Sequence, residues 1–394
     1  MNIKDLLSND ERSYVSRQDF SVRTAVQRLV NNNKYVMQKE QNFSPITLGQ
    51  KSEIESYWRK KLLWHMGLLN MKYFDVYNAV EADKSKLKYY VPDSFFYAFV
   101  DEYFTNPQRS TALDDKNLYD LYFADVNRPK TLARKINDVF MDADYNNISV
   151  SDFAEICKEN KEVVIKSAIG SYGGHGVKFW KADENSEEKL LDFIYTNNCR
   201  EFKGSNVYQQ YIVQEAIHQH HLLNKINSTS INTVRIITLY ENGECTPLSS
   251  VLRMGIDGSR VDNCSSGGIV CGITPDGILK DVAYDAMANA YHRHPQGYSF
   301  GGVKLVGFDK CINLAKKLAS RFYGVSRLIS WDFAINEDGE PILIEMNISF
   351  GEIDFHQLCN GPIFGEDTER ILKEVFEKNV TLSNIFDYMD KEIE

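Results

Sequence analysis

A chain of 394 residues, 43% hydrophobic and 25% charged, is long enough for two or three packed subdomains. Its 45 basic residues against 55 acidic ones give a formal net charge of -10, with lysines and arginines scattered among acids, which argues against a nucleic-acid partner. No apolar run is long enough to span a bilayer and Met1-Asn2-Ile3-Lys4-Asp5 opens no signal peptide, so a cytoplasmic protein without a membrane span is expected. The seven cysteines are dispersed and include no Cys-x-x-Cys pair, which reads as reduced and mostly structural thiols.

The first part of the chain reads as helical. From Ser52 to Val80 the apolar positions Ile54, Tyr57, Trp58, Leu62, Met66, Leu69 and Tyr73 recur at helical spacing without a proline. Pro92 interrupts, Phe95 to Phe104 reads as a compact aromatic helix, and Asn106-Pro107 marks a boundary. Asp115-Lys116 precedes a helix-like segment, Asn117 to Phe123. Further on, Ser151 is read as a helix N-cap with Glu155 near the capping-box position. Glu162 to Lys166 is a β-branched run that delivers a lysine, and Gly170-Ser171-Tyr172-Gly173-Gly174-His175-Gly176 follows it before a second strand-like run, Val177 to Trp180.

This is strand, glycine-rich loop, strand, and it fits neither a Walker A loop nor a Rossmann fingerprint, both of which lead into a helix. Such a loop can lie flat over a polyphosphate and offer backbone N–H groups, with Lys166 adding a point charge; an ordinary flexible hairpin is the alternative. Glu187 to Tyr195 reads as a helix, and Asn206 to Ala216 as a strand leading into a hinge. His218, His220 and His221 lie close together, but lack a cysteine or acid at ligand spacing, so a polar hinge loop is favoured over zinc.

Beyond the hinge, Ser230 to Leu239 is a strand carrying Arg235, and Val251-Leu252-Arg253-Met254 repeats the theme. Arginine's planar fork suits phosphate or carboxylate, so Arg235 and Arg253 are candidate anion-binding residues; an ion pair at a domain edge is the other reading. Cys264 has no identifiable base beside it and is read as structural. After an amphipathic helix, Lys310 to Tyr323, come Ser330 to Asn336 and Pro341 to Asn347, joined by Glu337-Asp338-Gly339-Glu340.

Asp338-Gly339 reads as a two-residue hairpin loop, which pairs Glu337 with Glu340 and, counting outward, Asp332 with Glu345. Asn347 then shares a face with Glu345, while Phe333, Ile335, Ile342 and Ile344 face the opposite way into a core. Three oxygen ligands converging on one patch suit Mg²⁺, with Mn²⁺ as the alternative; a solvated edge hairpin with incidental acids is the other reading. Ile348 to Gly351 turns the chain back, and Glu352 to Gln357 is placed toward a second substrate. A last helix runs from Thr368 to Lys378.

Lys166 with its glycine loop, followed by Asp332, Glu345 and Asn347, resembles the ATP-grasp superfamily of carboxylate-amine ligases. The runs Trp64-His65, Val91-Pro92-Asp93, Asp115-Lys116-Asn117-Leu118-Tyr119, Asn232-Thr233-Val234-Arg235, Asp262-Asn263 and Trp331-Asp332-Phe333-Ala334 are similar to its sugar-transfer-associated branch, found in polysaccharide loci. The resemblance implies an α+β ATP-grasp fold, two subdomains clasping ATP, behind a mainly helical N-terminal domain. The expected division is 1–106 helical, 107–216 with the glycine loop, and 217–394 with the metal hairpin. It further implies that Lys116 contacts the phosphates, that Ser171, Gly173, Gly174 and Gly176 cover them, that Arg235 serves the γ-phosphate and acyl-phosphate and Arg253 a substrate carboxylate, that Gln214, Glu215 and Ile217 line the adenine pocket, that His221 reaches the ribose, and that Asn263 faces ATP. Gln214 stands where many relatives carry glutamate.

The activity so implied joins a small-molecule or sugar-linked carboxylate to an amine through an acyl-phosphate, with ATP and Mg²⁺, in surface-polysaccharide or related biosynthesis. A kinase on the same scaffold and an ATP-binding regulatory protein without turnover stay open, and the sequence sets neither the substrates nor the oligomeric state.

Overall fold

Two antiparallel sheets carry the chain's chemistry in a computed structural model that describes residues 17–62, 69–106, 110–137, 139–169, 177–196 and 210–378. The helical N-terminal part contributes α1 (Arg17–Met37), α2 (Leu48–Leu62) and α3 (Lys72–Val80), then the consecutive short segments Asp93–Phe95, Phe96–Val100 and Asp101–Phe104, the middle one a π-helical turn. Phe95, Phe96, Ala98, Phe99 and Val100 are all buried there, so this segment is hydrophobic all round because it is covered all round. Its end is tied to the chain entering β11: Arg327 N donates to Phe104 O at 3.0 Å and Asn106 N to Val325 O at 2.7 Å.

The smaller sheet has the order β2-β1-β5-β3-β4, built from β1 (Thr131–Ile136), β2 (Val139–Asp142), β3 (Glu162–Ser167), β4 (Val177–Lys181) and β5 (Tyr211–Glu215). Strands β3 and β4 pair antiparallel with Lys166 opposite Val177, as a strand-loop-strand unit requires. Helices α4 (Val150–Glu159) and α5 (Glu187–Thr196) cover one face, packing Phe153, Cys157, Leu190 and Ile194 against Val163, Ile165 and Trp180. The period-two alternation of β3 therefore turns Glu162, Val164 and Lys166 to the other face. The cap of α4 is Ser149, not Ser151: Asp152 N donates to Ser149 Oγ at 3.1 Å, and Ser149 N donates back to Asp152 Oδ2 at 3.0 Å. An aspartate at the third helical position completes a capping box as glutamate would, and that shorter version of the signal lies two residues upstream of the expected one.

The larger sheet has the order β10-β9-β8-β7-β6-β11-β12, from β6 (Thr233–Glu241), β7 (Glu244–Met254), β8 (Ile269–Ile273), β9 (Leu279–Asp285), β10 (Ala290–Tyr291), β11 (Leu328–Ile335) and β12 (Pro341–Asn347). Helix α6 (Phe308–Ala319) covers one face, where Cys311, Ala315 and Leu318 share a core with Val234, Ile236, Leu252, Trp331 and Phe333. The opposite face is covered by the N-terminal helices with α7 (Ile353–Asn360) and α8 (Thr368–Lys378); Ile237, Leu239, Val251 and Leu328 lie in one core with Leu29, Trp58, Phe74, Phe99 and Leu372. Arg235 and Asp332 have the same strand parity as Ile237 and Leu328, so they sit on this second face, at its open end.

The β11–β12 turn corrects the sequence reading in an instructive way. Asn336 N bonds Glu340 O at 2.9 Å, Gly339 N bonds Asn336 O at 3.0 Å, and Gly339 has φ 74°, so Glu337-Asp338-Gly339 form a three-residue loop with glycine in the left-handed position. The register is accordingly Ile335 with Pro341 and Phe333 with Leu343, one residue off expectation, until a bulge restores Asp332 opposite Glu345 and Ser330 opposite Asn347. The bulge also reassigns the apolar residues. Leu343 and Met346 enter the core beside Phe333 and Ile335, whereas Ile344, expected in that core, lines the cavity described next and Ile342 lies half-buried at its edge.

Candidate active site

A cavity of about 1170 Å³ lies between the two sheets and reaches the N-terminal helices. Its floor is a row of charged side chains running across adjacent strands of the larger sheet: Glu345 on β12, Asp332 on β11 and Arg235 on β6 are direct cross-strand neighbours. Arg253 on β7 lies diagonally beyond, since its register partner is Thr233. Opposite charges at such positions attract at short range, and here they interlock. Arg235 holds Asp332 through two parallel bonds, Nε to Oδ1 and Nη2 to Oδ2, both 2.7 Å, while Arg253 Nη1 donates to Oδ2 at 3.0 Å. Glu352 accepts from Arg235 Nη1, and Asp262 from Arg253 Nη2 at 3.3 Å. Burial alone would raise the Asp332 carboxyl, but Arg235 and then Arg253 hold it below the usual carboxylate range.

The residues expected to hold a divalent cation are thus brought together. Asn347 Nδ2 lies 3.5 Å from Asp332 Oδ2, and Glu345 faces the same cavity with its side chain 27% exposed, paired to Lys116 Nζ at 2.8 Å. A carboxylate offers about four lone-pair sites. The arginines occupy both on Asp332 Oδ2 and one on Oδ1, so Oδ1 retains one for a single further bond. Two acids and an amide with that capacity fit a hard, oxygen-seeking ion such as Mg²⁺. Among the described residues no group of three or more His, Cys, Asp or Glu is arranged as a metal site.

The roof comes from the smaller sheet. Lys166, Val164 and Glu162 line the cavity from β3, and Lys166 forms no ion pair with a described residue. Burial, and next the charge of Lys116, push its ammonium down to about 8. Lys116 is brought in by the short helical turn Lys116–Leu118, capped by Asp115, and its N–H bonds Ala168 O at 2.9 Å, which ties it to the end of the lysine strand. Arg260 bridges the two sheets: Nη2 is 2.6 Å from Glu162 Oε1 and the guanidinium stands 4.1 Å from the Phe179 ring centroid. Ser171, Gly173, Gly174 and Gly176 lie outside the described residues.

Of the expected adenine contacts, Glu215 and Ile217 line the cavity. Gln214 is buried instead, its amide donating to Pro129 O at 3.4 Å; β5 is a central strand whose last inward side chain meets the chain entering β1 rather than open space. His221 is exposed and its ring lies tilted against that of His220, centroids 4.1 Å apart, while His220 caps the following helix by accepting from Leu222 N at 3.2 Å; His218 is the histidine that lines the cavity. Asn263 is at the cavity wall as expected. Glu352 and Asp354 also line it, whereas His356 and Gln357 are fully buried, Gln357 bonding Val91 and Tyr77. Ile344, Arg260 and Asp93 are lining residues that the sequence reading gave no role. Only a bulge could have exposed Ile344, and a bulge has no signature in simple alternation.

Phe350 and Glu352 both have left-handed backbone, φ 58° and 59°, which is unfavourable for bulky residues. The turn is fixed from both ends: Phe350 N donates to Asp101 Oδ2 at 3.2 Å and Ile353 N to Tyr97 OH at 3.2 Å. The strain places Glu352 against Arg235.

None of the curated proteins matches this sequence. Among solved structures the chain is similar to the biotin carboxylase domain of Hydrogenobacter thermophilus 2-oxoglutarate carboxylase, solved with MgADP, ADP and bicarbonate, at 14% identity and TM-score 0.41 over 68% of this chain and 46% of that one. It is similar to D-alanyl-alanine synthetase A from Vibrio cholerae O1 at 13% identity and TM-score 0.41, covering 70% and 67%, and to D-alanine–D-alanine ligase from Bacillus anthracis at 13% and 0.38, covering 73% and 72%. The chain spans less than half the length of the first of these. A family model described as sugar-transfer associated ATP-grasp matches residues 99–373, from within the aromatic segment through both sheets to α8. With well over half its length matched, the chain belongs to the sugar-transfer-associated ATP-grasp family, and its α+β fold is the ATP-grasp fold.

Proposed function

We propose that the protein is an ATP-dependent ligase that activates a carboxylate as an acyl-phosphate and passes it to an amine, releasing ADP and phosphate, in surface-polysaccharide or related biosynthesis. The observation that carries this reading is the row Glu345–Asp332–Arg235, laid across three adjacent strands and facing Lys116 and Lys166 in one cavity. Such a site presents cations and hard oxygen ligands to a polyphosphate, and little else, which is what phosphoryl transfer needs: positioning and charge stabilisation.

In this reading Glu345, Asp332 Oδ1 and Asn347 would hold Mg²⁺, which supplies charge neutralisation and alignment of the phosphate oxygens when bound. Lys166 and Lys116 take phosphate oxygens. Arg235 uses three of its five N–H donors internally and keeps two for the γ-phosphate as a substrate carboxylate oxygen attacks it. Arg253 holds the free end of that carboxylate. The amine nitrogen then attacks the acyl carbon, the C–O bond to phosphate breaks, and the amine proton leaves with the phosphate.

The purified protein, incubated with MgATP, uronic acids and hydroxylamine, should release ADP and trap the activated acyl group as a hydroxamate. A stable phosphorylated product would move the assignment to a kinase, and ADP formation from no acid in the panel would remove the ligase reading.

The Lys166 ammonium yields a pH prediction. It is protonated below about 8 in the free protein, and polyphosphate favours that form, so MgADP affinity is full below this pH and falls as pH rises through it. The expected slope is about tenfold in Kd per pH unit until the complex itself titrates. Lys166→Met should weaken MgADP and flatten the profile; an unaltered slope in isothermal titration would take Lys166 out of the phosphate site.

A further inference from the structure

The same cavity reaches the N-terminal helical part, where Tyr35, Asp93 and Tyr97 meet Phe350, Asp354 and Phe355. This end combines aromatic walls with the carboxyl groups of Asp93, Glu352 and Asp354. Asp354 is paired to the buried Lys39 Nζ at 3.1 Å, and that ammonium stands 5.0 Å from the Tyr35 ring centroid and 5.9 Å from that of Phe355. Glu352 is engaged by Arg235. Asp93 is left over: it is only 3% exposed, forms no ion pair with a described residue, and has one hydrogen bond, from Tyr77 OH at 3.4 Å. Burial, and then the charge of Asp354, push its carboxyl well above the usual range against the pull of the Lys39 ammonium, whose direct ion pair is with Asp354. A buried carboxyl without a direct cation partner is costly to ionise, and aromatic faces attract cations, so the compartment is complementary to an organic ammonium ion.

We propose that the Asp93 end of the cavity is the subsite for the second substrate, an amine that binds as an organic cation with its ammonium group on Asp93 and its body between the aromatic walls. The inference rests on the ligase reading and gives it a substrate class: a primary amine, selected by charge before it reacts. Binding here makes and breaks no covalent bond. The helical part, which lies mostly outside the family's matched span, thereby contributes the recognition of the nucleophile.

The test uses the full chain with MgADP and two probes of equal size, propylammonium chloride and 1-propanol, observed by saturation-transfer NMR with titration for Kd. Propylammonium should bind the wild type and propanol should not. Asp93→Asn should weaken propylammonium by about tenfold or more while MgADP affinity is kept. Tyr35→Leu should weaken propylammonium too, and serves if the first variant does not fold. Equal binding of the two probes, or propylammonium affinity unchanged in either folded variant, overturns the proposal. Failure of the wild type to bind MgADP would instead overturn the nucleotide reading, so the two failures are distinguishable.

Discussion

Asp332→Asn is expected to lose turnover and about 3 kcal/mol of folding stability together. Two arginines, 5% and 4% exposed, converge on this one carboxylate through three bonds, and the substitution leaves them facing a neutral amide that presents an NH₂ where one acceptor oxygen stood. Glu352 and Asp262 remain as second partners, which keeps the loss to the lower end of what breaking a buried ion pair costs. A shift of the urea midpoint with unchanged slope measures it. The same geometry sets the acid limit. Because the folded-state carboxyl lies below its ordinary range, its contribution is present above the unfolded pKa and is lost as pH falls through the folded one. An unmoved midpoint would mean that the arginines do not depend on Asp332.

Glu345→Gln is expected to abolish turnover as fully as the first variant and leave the fold nearly untouched. Glu345 is opposite Asp332 in the same sheet, but its side chain is 27% exposed and its partner is a single lysine, so little stability rides on the charge. Its removal at near-constant volume takes away one of the two anionic ligands proposed for Mg²⁺. Thermal unfolding within a degree or two of wild type, with loss of Mg²⁺-dependent nucleotide binding, is the expected pair of results. Retained activity would exclude the metal role. The contrast between neighbouring acids is itself the prediction: one is structural and chemical at once, the other chemical alone.

Much of this was legible beforehand. The strand, glycine-rich loop, strand pattern delivered Lys166, the strand beyond the hinge carried Arg235, and the Asp332–Glu345 pairing emerged from counting across the hairpin. That count succeeded by compensation, since the loop holds three residues rather than two and the bulge near Ile344 absorbs the difference. A single strand pattern specifies faces, not the extra residue that a bulge inserts. Gln214 and His221 were misplaced for a related reason: the neighbours that claim them, Pro129 and His220 with its helix cap, are set by tertiary packing and local capping. Asp93 was invisible as a site residue because an aspartate after proline at a helix start already has a sufficient local explanation. Its lack of a direct ion pair becomes evident only once α7 brings Asp354 up to claim Lys39.

One consequence lies in how the larger sheet is clad. Helices α7 and α8 cover only part of its second face; residues from Ala25 onward complete the cover, sharing a single apolar interior with the strands that carry Arg235 and Asp332. A polypeptide begun after residue 106 would therefore expose Ile237, Leu239, Val251 and Leu328 to solvent and unlatch the turn that Asp101 and Tyr97 pin. The row Glu345–Asp332–Arg235 thereby shares its support with the leading helices, so the proposed nucleotide and amine sites rest on one common interior.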